Sequence, residues 1–123
     1  MIVRMFKPQF APLVESGAKR QTVRPLPKRM PKAGEIISLR EWAGKPYRSK
    51  QRELGMSAVT RVEEITLRDT GRELLATLGG ESLSPEELNA FARNDGFNGA
   101  IEMFDWLQAQ HGLPFTGIVI HWK

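Results

Sequence analysis

The chain has 123 residues, 41% hydrophobic and 26% charged, which suits one domain (1–123) and excludes disordered, collagen-like and coiled-coil chains. It has no cysteine, so disulfides, thiolate metal sites and cysteine nucleophiles are out, and no apolar run approaches the roughly 20 residues of a membrane span. The net charge of +4 hides an asymmetry: residues 1–52 hold 13 basic and 3 acidic residues, and residues 53–123 hold 5 basic and 11 acidic.

Met1–Phe6 reads as a strand, and Gln9–Ser16 as a short helix with Phe10, Leu13 and Val14 on one stripe and Gly17 as its stop. Lys19–Arg24 reads as a strand ended by Pro25, and Pro27 and Pro31 keep the following basic stretch irregular. Gly34 leads into an alternating strand, Glu35–Glu41. Trp42–Met56 reads as a long polar connection, of the kind that is usually functional. Ser57–Leu67 is a strand whose apolar parity switches, which predicts a bulge, and Arg72–Leu78 is a further strand before Gly79-Gly80. Ser84-Pro85-Glu86-Glu87 predicts a capped helix running to Gly96, and Asn98 caps a second helix through Ile101, Phe104 and Leu107 to Gly112. Phe115–Trp122 closes the chain as a strand. Strands with one late helix pair and no βαβ alternation predict an α+β fold, a mixed sheet or small barrel.

Lys19–Arg52 contains 11 basic residues opposed by Glu35 and Glu41 alone. Such a region calls for an anion, and nucleic acid is the obvious one, unless the acidic half packs against it. Within it, Trp42 and Tyr47 interleave with Arg48, Lys50 and Arg52, a pattern suited to stacking bases and holding phosphates; the plain alternative is a core-capping Trp beside solvated cations. The start of the chain, interrupted by Arg4 and Lys7, reads as no signal peptide, and the expected location is the cytoplasm. His111 and His121 lack the partners of a metal site.

The densest constellation is Gly17-Ala18-Lys19-Arg20-Gln21-Thr22-Val23-Arg24. A desolvated lysine among cations acts as a base near neutral pH, and a threonine hydroxyl becomes a nucleophile once a base activates it. In a regular strand, residues 20, 22 and 24 share one face, so Thr22 and Arg24 converge as an anion site. Lys19 joins them only from a turn after Gly17 or across a bulge. The competing reading makes Lys19 and Arg24 solvated cations or phosphate clamps and Thr22 an ordinary strand residue.

This segment, with Gly34-Glu35-Ile36-Ile37 and Asp95-Gly96-Phe97 following in order, resembles the signature of the ASCH domain family of PUA-like barrels. It departs from the pattern at Arg20, where a Thr is common. The resemblance implies a PUA-like β-barrel with a short N-terminal helix and a late helix pair, and a basic cleft lined by Lys19, Thr22 and Arg24 that binds RNA or a nucleoside-like molecule, with Arg20 among the binding cations. It also implies an alternative: hydrolysis of N4-acetylcytidine-type nucleosides, or of RNA, by Lys19, Thr22 and a carboxylate. The carboxylate falls nearest Asp95, with Glu102 as second candidate, and no cofactor or metal is called for. A third reading makes the basic loop an adaptor for an acidic protein.

Overall fold

The computed structural model describes residues 1–123. In chain order it comprises β1 (Ile2–Met5), α1 (Ala11–Ser16), β2 (Gln21–Pro25), β3 (Ile36–Trp42), β4 (Gln51–Asp69), β5 (Leu74–Leu78), β6 (Glu81–Ser82), α2 (Pro85–Asn94), α3 (Ala100–His111) and β7 (Phe115–Trp122). The fold is α+β, built on a seven-stranded mixed sheet. β1 pairs parallel to β3, and every other pairing is antiparallel.

β4 is the spine. Its first half pairs with β3, and its second half pairs with both β7 and β5. The predicted bulge is present as a register shift between Val59 and Arg61 opposite β7, and Val59, Ile65 and Leu67 are buried in the core. β7 has neighbours on both edges, and its Gly117–Ile120 run is buried throughout, as a continuous apolar strand should be. β2 pairs only with β7 and β1 only with β3, so the sheet does not close by hydrogen bonds between β1 and β2. The side chain of Arg24 spans that seam, donating from Nη2 to the Met5 carbonyl at 2.8 Å.

Several boundaries differ from the sequence reading. The long connection expected over Trp42–Met56 is shorter: Trp42 and residues 51–56 are strand, leaving residues 43–50 as a turn. Its stem is wet on both faces, so apolar alternation does not reveal it. Polar cross-strand pairs hold it instead: Arg40 to Gln51 at 2.8 Å and Arg52 to Glu41 at 2.7 Å. β2 starts at Gln21 rather than Lys19, and the two-residue β6 was not foreseen. The Ser84–Glu87 capping box is present. Asn98, however, does not cap α3; its amide donates to Glu102 instead, and Asn89 of α2 accepts from the Ala100 N–H at 2.9 Å. No helix is long and apolar enough to cross a membrane.

Candidate functional site

The open seam between β1 and β2 leads into a cavity of about 180 Å³. It is lined from four directions. The end of β1 and the residue after it give Met5 and Phe6, α1 and its approach give Lys7 and Phe10, β2 gives Thr22 and Arg24, and α3 gives Trp106, Gln110 and His111. Lys19 and Asp95 form its polar floor.

Local structure explains how Lys19 arrives there. α1 ends on Gly17 in the left-handed region (φ 83°), which reverses the chain, and the Lys19 N–H donates to the Leu13 carbonyl at 2.9 Å. Lys19 therefore lies in a turn just before β2, and its side chain reaches the same cavity as Thr22 without breaking the strand's alternation. Gly96 (φ 102°) makes the matching reversal after α2, and a Cβ there would meet Leu13 and Phe10 at 3.2 Å and the Lys19 stem at 3.5 Å. Close approach of the two turns brings Lys19 and Asp95 together.

Lys19 is 2% exposed and Asp95 5%. Lys19 Nζ donates to the Asp95 backbone carbonyl, lies 3.3 Å from Asp95 Oδ2, and sits over the Phe10 ring at 4.9 Å. Asp95 Oδ1 accepts from Gln21 Nε2 at 3.2 Å. Burial pushes the Lys19 ammonium below its ordinary value, Asp95 opposes this, and the Arg24 charge adds to it. Burial pushes the Asp95 carboxyl up, against the pull of Lys19, Gln21 and Arg24. Both shifts favour moving a proton from Lys19 to Asp95.

Thr22 is buried and accepts from Arg24 Nε at 3.0 Å, which leaves its hydroxyl proton free to donate elsewhere. Arg24 stacks over Phe6 at 5.0 Å, and burial followed by the nearby Arg4 charge pulls its guanidinium down to about 10, against Asp95. Two cations thus face one carboxylate in a poorly solvated space, which suits an anion or a polarised carbonyl oxygen. Phe6, Phe10 and Trp106 supply flat apolar walls, with Phe10 and Trp106 packed edge to face at 5.3 Å. At the rim, Lys7 donates to Gln110 at 2.9 Å.

Of the eleven candidates named from sequence, Lys19, Thr22, Arg24 and Asp95 meet in this cavity. Arg20 does not: it is exposed, and its Nε folds back onto the Gly17 carbonyl at 2.9 Å. Trp42, Tyr47, Arg48, Lys50 and Arg52 do not line the cavity either, because they belong to the β3–β4 hairpin. Arg52 is already committed to Glu41 and Glu15. Glu102 is exposed on α3 and bonded to Asn98, away from Lys19. No three His, Asp or Glu side chains are placed to hold a metal; His121 instead pairs with Glu63 at 2.9 Å.

Sequence reasoning missed Gln21, Phe10 and the α3 residues Gln110 and His111. Gln21 lay inside the motif and carried a signal, an amide between two candidate groups, but its partner is 74 residues away. Comparison with protein-family models, curated proteins and solved structures gives no match for this chain.

Proposed function

We propose that the chain is an ASCH-like domain whose cavity binds a nucleoside-like molecule and hydrolyses an exocyclic amide on it, as in N4-acetylcytidine. The observation that carries the reading is a buried lysine, bonded to a buried aspartate, opening onto the same walled cavity as a threonine hydroxyl. A plain phosphate clamp has no use for the desolvation of either charge, since a clamp works with solvated cations. On the fold side, the proposal treats the curled sheet as a PUA-like barrel left open at the β1–β2 seam. The aromatic walls fit a base, and the excess positive charge fits the acetyl oxygen as it gains negative charge.

The chemistry follows from the groups. Lys19, as the free amine, takes the Thr22 hydroxyl proton, and Thr22 Oγ forms a bond to the acetyl carbon. The electron pair of the carbonyl moves onto its oxygen, near Arg24. On collapse, the carbon–N4 bond breaks, and the Lys19 ammonium returns its proton to N4, releasing the amine. Water then attacks the acetyl-threonine carbonyl, its proton passing to Lys19 or Asp95; the acetyl carbon–Thr22 Oγ bond breaks, that proton returns to Thr22 Oγ, and the acetic acid released ionises to acetate in solvent.

The reading is tested with Thr22→Ser and Thr22→Val, following N4-acetylcytidine and cytidine by chromatography. Wild type and the serine variant should turn the substrate over, and the near-isosteric valine variant should lose about 10²-fold or more. No turnover by wild type, or undiminished turnover in the valine variant, would overturn it.

A further inference from the structure

The β3–β4 hairpin tip lies outside the cavity, and its construction calls for a separate explanation. Lys45-Pro46-Tyr47-Arg48 is a tight turn closed by the Arg48 N–H on the Lys45 carbonyl at 3.1 Å. Proline in second place and a positive φ in third form the type II pattern, which favours glycine at the third position. That position holds Tyr47, at φ 62°, the one non-glycine residue of the chain with positive φ. A bulky residue held there costs conformational energy, and such strain collects where a side chain is used.

The rest of the turn is built to hold Tyr47 out. Ser49 Oγ accepts from the Gly44 N–H at 2.9 Å and donates to the Lys45 carbonyl at 2.8 Å. The Ala43 N–H reaches the Lys50 carbonyl at 2.9 Å. Tyr47 is 88% exposed, and its inner side rests on Trp42, with ring centroids 5.1 Å apart. Its outer face is bare.

Around this ring stand Lys45, Arg48 and Lys50, all exposed and none in an ion pair. The cations of the stem are different. Arg52 is held by Glu41 and Glu15, and Arg40 by Gln51 and Ser38. Three unpaired cations therefore stand together at the tip, beside the most exposed Phe, Trp or Tyr ring of the chain.

We infer that the β3–β4 hairpin tip is a contact for single-stranded nucleic acid, with Tyr47 stacking on a base and Lys45, Arg48 and Lys50 holding the adjacent phosphates. An eight-residue turn with one exposed aromatic cannot supply the roughly 800 Å² per partner of a stable protein interface. Three free cations and a stacking face are, by contrast, the elements of single-strand binding. The contact stands independently of any chemistry in the cavity.

The test is fluorescence anisotropy with a labelled 12-nucleotide oligo-uridine, which carries no modified base, across a salt series. Wild type should bind with a logarithmic salt slope of about −2, from three phosphate contacts on a single strand. Arg48→Gln with Lys50→Gln should weaken binding and flatten that slope by about 1.4. Tyr47→Gly suits the backbone of the turn, so it keeps the hairpin, and it should cost about tenfold in affinity with the slope unchanged. No binding by wild type at low salt, an unchanged slope in the double variant, or undiminished affinity in Tyr47→Gly would overturn the inference. Displacement of the RNA by polyglutamate as readily as by unlabelled RNA would also overturn it, by showing attraction to any polyanion.

Discussion

The two oxygens of the Asp95 carboxylate have different partners: Oδ1 accepts from Gln21, and Oδ2 faces Lys19. Gln21 therefore fixes the carboxyl rotamer and leaves one oxygen to the lysine. Because burial holds Asp95 above its ordinary value, this carboxyl binds more protons in the native chain than in the unfolded chain over a window that begins at about pH 4. This group's contribution to stability accordingly falls as pH rises through that window. Lys19, held below its ordinary value, has the opposite slope at higher pH. Gln21→Leu removes a donor to the carboxylate, lifts Asp95 further and widens its window. Urea midpoints at about pH 5 and about pH 8 should diverge more in Gln21→Leu than in wild type, and the acid limb of N4-acetylcytidine turnover should move to higher pH. Parallel stability curves and an unmoved limb would remove Gln21 from this role. None of this was legible in the motif, because Lys19 and Gln21 meet Asp95 across more than 70 residues of chain. What was legible was the condition for convergence, a turn after Gly17.

At the scale of elements, local signals read well and shared ones read poorly. The Ser84 capping box is complete within four residues, and the sequence showed it directly. The cap of α3 comes from Asn89, one helix earlier, so local reasoning picked the neighbouring Asn98. This cap ties α2 to α3 around the turn that carries Asp95. Asn89→Ala should cost about 1 kcal/mol in urea denaturation, and an unchanged midpoint would show that water replaces the cap. The hairpin of β3 and β4 was hidden for a different reason. Strand recognition relies on one dry face, and residues 40–53 are mostly solvated on both. The bulge in β4, by contrast, was visible because Val62 breaks the parity shared by Val59, Ile65 and Leu67.

At the scale of the molecule, the charge asymmetry is not cancelled by folding. Of six ion pairs, only Lys19–Asp95 joins the basic first half to the acidic second half; the others lie within one half. Such a balance leaves the hairpin tip positive and makes the one cross-half pair a buried one, at the floor of the cavity. The cavity itself exists because β1 and β2 do not pair, and Arg24 spans the seam in place of backbone hydrogen bonds. The α+β class was legible from element order, whereas the open seam was not, because it depends on which strands stay apart. The proposed chemistry turns on Lys19 acting as the base in this cavity. The most direct measurement is N4-acetylcytidine turnover by wild type and Lys19→Ala side by side, with melting curves to confirm that both are folded. Wild type should turn the substrate over, and the folded variant should lose about 10²–10⁴-fold. Turnover at the wild-type rate in Lys19→Ala would contradict that role.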